Sequence, residues 1–182
     1  MAVSDRGRGA PERRTRQRRS GLERRGEERR SGYDRRGAGE WEPVKIEGVT
    51  AAAYNEAALV AAAIDARTRA RARFSTFKVG AALETATGVV VTGCNVENAT
   101  YGLTICAERV ALLKALSDGH DVFLRIVVVA DTDDPTPPCG ACRQLLWEYC
   151  GDIEVVLANL AEVKTRLRLA ELLPMPFDAR LL

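Results

Sequence analysis

Four segments after residue 50 carry apolar residues in patterns that predict helices. An alanine-rich stretch with apolar positions near helical spacing predicts a first helix from about 51 to 72, with Thr50 as its N-cap. A second helix is predicted over 106–117 and a third over 140–150. The last predicted element is a short helix at about 168–173.

The segments between these helices have the composition of β-strands. Runs at 79–84 and 89–94 flank Thr87-Gly88 and predict a β-hairpin. The continuous apolar run "FLRIVVVAD" predicts a strand buried at the centre of a sheet. A further strand is predicted in "IEVVLAN". The element order is therefore αββαβαβ(α).

This order predicts the fold class. Strand–helix–strand connections imply parallel neighbours, here beside an antiparallel hairpin. We therefore expect an α/β fold, a three-layer α/β/α sandwich with a mixed β-sheet. No repeat of the solenoid type is visible in the sequence.

Residues 1–40 differ in character from the rest of the chain. They repeat an acid-Arg-Arg unit separated by glycines and hold almost nothing to bury, which predicts a disordered, Arg-rich N-terminal extension. A catalytic domain is expected over 48–182. The extension reads most simply as a solvated tail, with a tether to nucleic acid or an anionic surface as the sharper alternative. A third interpretation is a misplaced start, with Val44 or Val49 as the true first residue.

The net charge of +2 hides this division. Residues 1–40 hold 13 Arg and 7 acidic residues, whereas the remainder holds 14 basic and 18 acidic residues. A mildly acidic domain has no large positive field for gripping a polyanion, so nucleic acid is an expected partner only through the tail. No apolar run approaches the roughly 20 residues that span a bilayer, and no secretory signal is visible. A cytoplasmic protein without membrane contact is expected.

Five cysteines suggest a metal rather than disulfides, because an odd number does not form a disulfide framework. Cys139 and Cys142 form a C-x-x-C pair, and Cys106, like that pair, lies where a loop opens a predicted helix. Backbone N–H groups there favour thiolates. Three protein ligands leave the fourth tetrahedral position open, which is typical of catalytic zinc.

Other ligand candidates are weak. His120, the only histidine, is expected in an exposed turn. Cys94 at a strand end and Cys150 near a helix end are expected to be small buried hydrophobes.

Two residues beside Cys106 complete the chemistry that the cysteines suggest. Three thiolates and Zn²⁺ sum to −1, and Arg109 can offset that charge. Glu108 can take a proton from a water at the metal. The competing interpretation of Glu108 is a first-turn glutamate that only stabilises the helix dipole.

The motifs C-A-E at 106–108 and P-C-G-A-C-R-Q at 138–144 resemble those of the zinc-dependent cytidine deaminases. Cysteine as first ligand resembles the small, homotetrameric, three-cysteine branch of that family. The stretches "VGAAL", "GCNVENATYGLTICAERVAL" and "ELLP" match as well. The resemblance covers about residues 50–178 and leaves the Arg-rich segment outside.

The resemblance also implies a substrate site. Asn95 and Glu97 match a pair that grips the ribose, and Phe77 matches an aromatic that packs on the pyrimidine. The backbone N–H of Ala107 matches a contact to the base carbonyl. The further residues implied for substrate binding are Tyr101 and Phe177, and Phe177 resembles an aromatic that reaches a neighbouring subunit's site.

The activity implied is hydrolysis of cytidine and 2′-deoxycytidine to uridine and 2′-deoxyuridine plus ammonia, in pyrimidine salvage. Water activated at one Zn²⁺ per subunit attacks C4, with Glu108 as proton shuttle. Two other interpretations stay open: an editor of cytosines in polynucleotides, and a non-catalytic zinc module whose tail binds RNA. The "NVEN" loop favours nucleosides over blasticidin-type substrates.

Overall fold

The computed structural model describes residues 56–177 and Leu181. Besides a short 3₁₀ helix (Tyr101–Leu103), nine α-helices and β-strands lie within the described part of the chain. In chain order they are α1 (Glu56–Thr68), β1 (Val79–Thr85), β2 (Val90–Cys94), α2 (Ala107–Ser117), β3 (Phe123–Ala130), α3 (Gly140–Cys150), β4 (Glu154–Ala158), β5 (Val163–Arg168) and α4 (Leu169–Leu172).

The strands form one mixed sheet in the order β2-β1-β3-β4-β5. β1 pairs antiparallel with β2 and with β3, β3 pairs parallel with β4, and β4 pairs antiparallel with β5. The predicted parallel neighbours are therefore confirmed for β3 and β4. The prediction is wrong for β2 and β3. These two strands run in the same direction but are not neighbours, because β1 pairs with both of them and lies between them.

Two apolar clusters show that the sheet is covered on both faces. On one face, Leu59 and Ala63 of α1 pack against Val127 and Val129 of β3. On the other face, α2, α3 and α4 pack against the alternate residues of the same strands, such as Ile126. The alternation follows from the two-residue period of a strand. The predicted three-layer α/β/α sandwich with a mixed sheet is confirmed.

Two boundaries differ from the sequence expectations. α1 ends at Thr68 rather than near 72, because the backbone of Arg71 instead donates to the carbonyl of Asn95. The predicted start of this helix and its Thr50 cap lie outside the described residues. β5 was not predicted: its charged residues hide the alternation of Val163, Thr165 and Leu167, as is common at a sheet edge.

The predicted division of the chain at 40–48 also lies outside the described residues. Among the helices that the structure describes, none has the length and apolar character needed to cross a membrane.

Gly93 of β2 lets α2 approach the sheet closely. A Cβ built on Gly93 would lie 2.4 Å from the carbonyl oxygen of Ala107 and 2.5 Å from the backbone nitrogen of Ala111. Both atoms belong to the rigid backbone of α2, so a methyl group there forces the helix away. Gly93→Ala is expected to destabilise the protein by about 1–3 kcal/mol or more, measured by thermal unfolding.

The matched control is Gly102→Ala, because a Cβ on Gly102 meets nothing within 4 Å. If Gly93→Ala unfolds at the same temperature as this control, the close approach does not matter.

Candidate active site

The site lies where the amino termini of α2 and α3 meet. β2 and β3 run in the same direction, so both chains leave the sheet at the same end before entering α2 and α3. Cys106 is the N-cap of α2, Cys139 is the N-cap of α3, and Cys142 lies in the first turn of α3. The topology therefore brings Cys106 next to a pair of cysteines that lies more than 30 residues later in the sequence.

The three sulfurs have the geometry of a zinc site. The Sγ atoms of Cys106 and Cys139 are 3.8 Å apart, and those of Cys139 and Cys142 are 3.4 Å apart. Tetrahedral zinc with bonds of about 2.3 Å requires sulfurs about 3.8 Å apart. All three sulfurs lie within 4.8 Å of one another, and no other such group of His, Cys, Asp or Glu occurs in residues 56–177. The predicted ligands fit zinc and leave one tetrahedral position for another group.

The surroundings of Cys106 favour its thiolate form. The Cys142 and Cys139 thiols, together with Arg109, lower the pKa of Cys106 to about 5. The Nη2 atom of Arg109 lies 4.0 Å from the Cys106 sulfur and donates a hydrogen bond of 2.7 Å to the carbonyl of Thr104. Since metal ligands must be deprotonated, this lowered pKa prepares Cys106 to bind a cation.

Glu108 is held inside the protein next to the sulfurs. Its side chain is 5% exposed, and its carboxyl interacts with the Cys142 thiol. Burial raises the pKa of this carboxyl above its usual range, and the neighbouring Cys106 raises it further. A surface glutamate that only stabilised the helix dipole would be solvated, so this burial favours a chemical role.

Cys94, Cys150 and His120 lie outside the cysteine cluster in the described structure. Cys94 and Cys150 are partly buried rather than fully buried, and burial raises the pKa of the Cys150 thiol to about 12. His120 follows the turn after α2, where its backbone N–H donates to the carbonyl of Ala115.

A pocket of about 380 Å³ includes in its lining Thr104, two residues before Cys106. Its lining residues are Phe74, Ser75, Glu97, Tyr101 and Thr104. Tyr101 is 79% exposed and meets Phe74 edge to face, with ring centroids 6.4 Å apart. The structure thus places two of the predicted substrate residues, Glu97 and Tyr101, at one opening.

Asn95 and Phe77 are not among the residues that line this pocket. The Asn95 carboxamide accepts a hydrogen bond of 2.9 Å from the Val79 N–H and donates one of 2.8 Å to the Phe77 carbonyl. Phe77 is 43% exposed. Asn95 therefore fixes the backbone that carries Phe77, a structural contact that sequence reasoning did not predict.

Ala107 and Phe177 complete the predicted set. Ala107 is the first residue of α2, where backbone N–H groups lack partners within the helix. The Phe177 side chain is exposed, while its carbonyl accepts a hydrogen bond of 2.5 Å from Gln144 Nε2. This bond ties the end of the described chain to α3, which carries Cys142.

Arg143 belongs to the P-C-G-A-C-R-Q motif at 138–144, but the sequence alone did not indicate a role for it. Its Nε donates a hydrogen bond of 2.6 Å to the carbonyl of Pro138, the residue before Cys139. Its Nη1 donates one of 2.9 Å to the carbonyl of Leu172, the last residue of α4. Arg143 therefore fixes the loop that carries Cys139. Its position after the C-x-x-C pair was the available signal.

An open metal position with a buried carboxyl beside it is what a zinc-dependent hydrolase requires. That is the class of enzyme defined by this fold and this site.

Comparisons with known proteins identify a family within the class of zinc-dependent hydrolases. The family model for the cytidine and deoxycytidylate deaminase zinc-binding region matches residues 53–159. A cytidine deaminase of Halalkalibacterium halodurans is 51% identical over 66% of this chain and 92% of its own, and one of Sporosarcina psychrophila is 47% identical over 66% and 89%. The crystal structure of the Burkholderia pseudomallei cytidine deaminase aligns with a TM-score of 0.64, at 50% identity, over 66% of this chain and 98% of that one.

The chain belongs to the family of zinc-dependent cytidine deaminases. It is an enzyme that carries one Zn²⁺ per subunit.

Proposed function

We propose that the chain hydrolyses cytidine and 2′-deoxycytidine to uridine and 2′-deoxyuridine, releasing ammonia, as a step of pyrimidine salvage. The observation that carries this proposal is the placement of Glu108, buried against the Cys142 thiol beside three convergent sulfurs. The similarity to proteins named cytidine deaminase supports the same conclusion.

Cys106, Cys139 and Cys142 hold zinc, which when bound lowers the pKa of a coordinated water and makes it a nucleophile at neutral pH. Glu108 accepts the proton of this water through a carboxylate oxygen. It delivers that proton to N3 of cytosine while the water oxygen bonds to C4. It then carries the second proton to the 4-amino group, which leaves as ammonia when the C4–N bond breaks. Arg109 offsets the charge of the thiolates.

The remaining residues bind the nucleoside. Phe77 packs on the pyrimidine, and the backbone N–H of Ala107 donates to the base carbonyl. Glu97 and Asn95 bind the sugar, and Tyr101 covers the opening. Glu97 and Tyr101 line the pocket, which supports the assignment of these two residues.

The test follows the absorbance of cytidine and of deoxycytidine in the presence of the zinc-loaded enzyme. Both are expected to be converted with stoichiometric release of ammonia. A chain that starts at Val44 is expected to turn over at the same rate as the full chain, because we assign catalysis to a domain over 48–182. Absence of turnover with both nucleosides would refute the proposed function.

We propose a cytoplasmic homotetramer with shared active sites, in which Phe177 reaches a neighbouring subunit. Support comes from the exposed aromatic side chains of Phe74, Tyr101 and Phe177 beside the pocket and at the end of the described chain. A partner subunit would cover these apolar surfaces. Sedimentation equilibrium tests the assembly, and the mass of a monomer at micromolar concentration would contradict it.

A further inference from the structure

A network of hydrogen bonds links the pocket residue Glu97 to the turn that precedes Phe77. The Glu97 carboxylate accepts a hydrogen bond of 2.7 Å from the backbone N–H of Phe74 and one of 3.2 Å from that of Ser75. It also accepts a hydrogen bond from the Ser75 hydroxyl. The Ser75 side chain therefore contacts a residue assigned to sugar binding, although Ser75 itself has been assigned no role.

The direction of the Ser75 hydroxyl proton follows from its second contact. Its Oγ accepts a hydrogen bond of 3.0 Å from the backbone N–H of Phe77. A hydroxyl has one proton to donate and can accept at its lone pairs. With Phe77 supplying a donor, the Ser75 proton is directed at Glu97.

The three internal hydrogen bonds leave the Glu97 carboxylate with a limited capacity to accept further hydrogen bonds. An ionised carboxylate offers about four lone-pair sites. Its Oε2 accepts both backbone N–H groups, and its Oε1 accepts the Ser75 hydroxyl. One acceptor site on Oε1 remains, and Glu97 lines the pocket. A single ligand hydroxyl can bind there, and the internal bonds fix its direction.

Backbone strain in the same turn is an independent sign that this arrangement is constrained. Thr76 has a φ of 60°, a left-handed conformation that is unfavourable for a β-branched residue. Such strain persists only where surrounding contacts enforce it, and it tends to occur at functional sites. Glu97 holds the turn on one side of Thr76, and Asn95 holds the Phe77 carbonyl on the other.

We propose that Ser75 is a positioning residue for sugar recognition, which orients the Glu97 carboxylate so that its one remaining acceptor site receives a hydroxyl of the nucleoside sugar. The proposal rests on the proposed function, since it assumes that the pocket binds a nucleoside. It assigns to Ser75, which lines the pocket beside Glu97, a share of the discrimination between hydroxylated and deoxygenated sugars, exerted through the Glu97 carboxylate.

The test measures binding of uridine and of 2′,3′-dideoxyuridine to the zinc-loaded enzyme by calorimetry, which requires no turnover. The parent protein is expected to bind uridine more tightly. In Ser75→Ala, the Kd for uridine is expected to rise about tenfold, the scale of one hydrogen bond to a charged group. The Kd for the dideoxynucleoside is expected to change little. Ser75→Thr keeps the hydroxyl and is expected to restore the preference.

Two further variants serve as references. Glu97→Gln is expected to lose the preference in the same way. Thr76→Val removes a hydroxyl whose recorded contact is the Ser75 carbonyl, at 2.6 Å, and is expected to keep the preference.

The outcomes separate this proposal from the proposed function. A parent protein that converts cytidine, with a preference that Glu97→Gln abolishes and Ser75→Ala preserves, overturns the role of Ser75 alone. An equal rise of both Kd values in Ser75→Ala, or an equal loss of preference in Thr76→Val, also overturns it, because the turn would then act only structurally. A parent protein that does not distinguish the two ligands overturns the sugar contact of Glu97 together with the role of Ser75.

Discussion

Glu108→Gln is expected to bind one zinc ion per chain and to lose at least about 10³-fold in kcat, because glutamine cannot carry a proton between water and cytosine. General acid–base groups contribute typically 10²–10⁴-fold, and Glu108 is assigned more than one transfer. A 10³-fold loss corresponds to about 4 kcal/mol in the activation barrier. Metal analysis and the cytidine assay on the same preparation measure both quantities.

This variant should remain folded, so that the loss of turnover reports chemistry. Burial raises the pKa of the Glu108 carboxyl, so the ionised form of this carboxyl is less favourable in the folded protein than in the unfolded chain. At pH values above the pKa that this carboxyl has in the unfolded chain, its ionisation therefore lowers the free energy of unfolding. Glutamine has nearly the same shape and removes that cost. The melting temperature of Glu108→Gln at neutral pH is accordingly expected to be no lower than that of the parent.

The matched control is Glu148→Gln, the same chemical change at an exposed position on α3. It should turn over cytidine at the parental rate. Full activity in Glu108→Gln, with zinc bound, would remove the proton shuttle from the mechanism.

The metal site could be predicted because the sequence around each cysteine identifies it as a candidate ligand. Each cysteine precedes or opens an apolar helical pattern, and Cys139 and Cys142 have the spacing that places two thiolates at one helix end. That the two helix ends meet depends only on the direction of β2 and β3, which the element order already constrains. The strand order itself was harder to predict, since the pairing of β3 with β1 instead of β2 joins strands that are far apart in sequence.

The contacts of the sugar-binding pair could not be predicted in the same way. Asn95 and Glu97 have residue types that suit a hydroxyl ligand, and the pattern does not reveal that both also bind the backbone of residues 74–79. That knowledge requires the approach of two loops that are about 20 residues apart in sequence. β5 was not predicted for a related reason. It lies at an exposed edge of the sheet, where charged residues are favoured, and these charged residues obscure the apolar alternation that identifies a strand in the sequence.

Cys139→Ala is expected to lose zinc. The exposed position of Cys139 means that a loss of zinc in this variant can be attributed to the missing ligand rather than to a disturbed core. Cys139 is exposed, so removing its thiol forfeits little packing, whereas Cys142 is fully buried and its removal would also leave a cavity. Loss of an outer-shell partner alone weakens metal binding 10–100-fold, so loss of a ligand should weaken it by more than about 100-fold. Zinc stoichiometry is expected to fall well below one per chain, and turnover with it.

A chelator completes the test of the ligand set, because bound zinc stabilises only the folded state. Chelation should lower the melting temperature of the parent towards that of Cys139→Ala, and should leave the melting temperature of Cys139→Ala itself nearly unchanged. Cys150→Ala is the matched control, since its thiol lies outside the cluster and burial raises its pKa to about 12. It should keep its zinc and respond to the chelator as the parent does. Parental zinc stoichiometry in Cys139→Ala would mean that the three convergent sulfurs are not the ligand set, and the mechanism built on them would have to be abandoned.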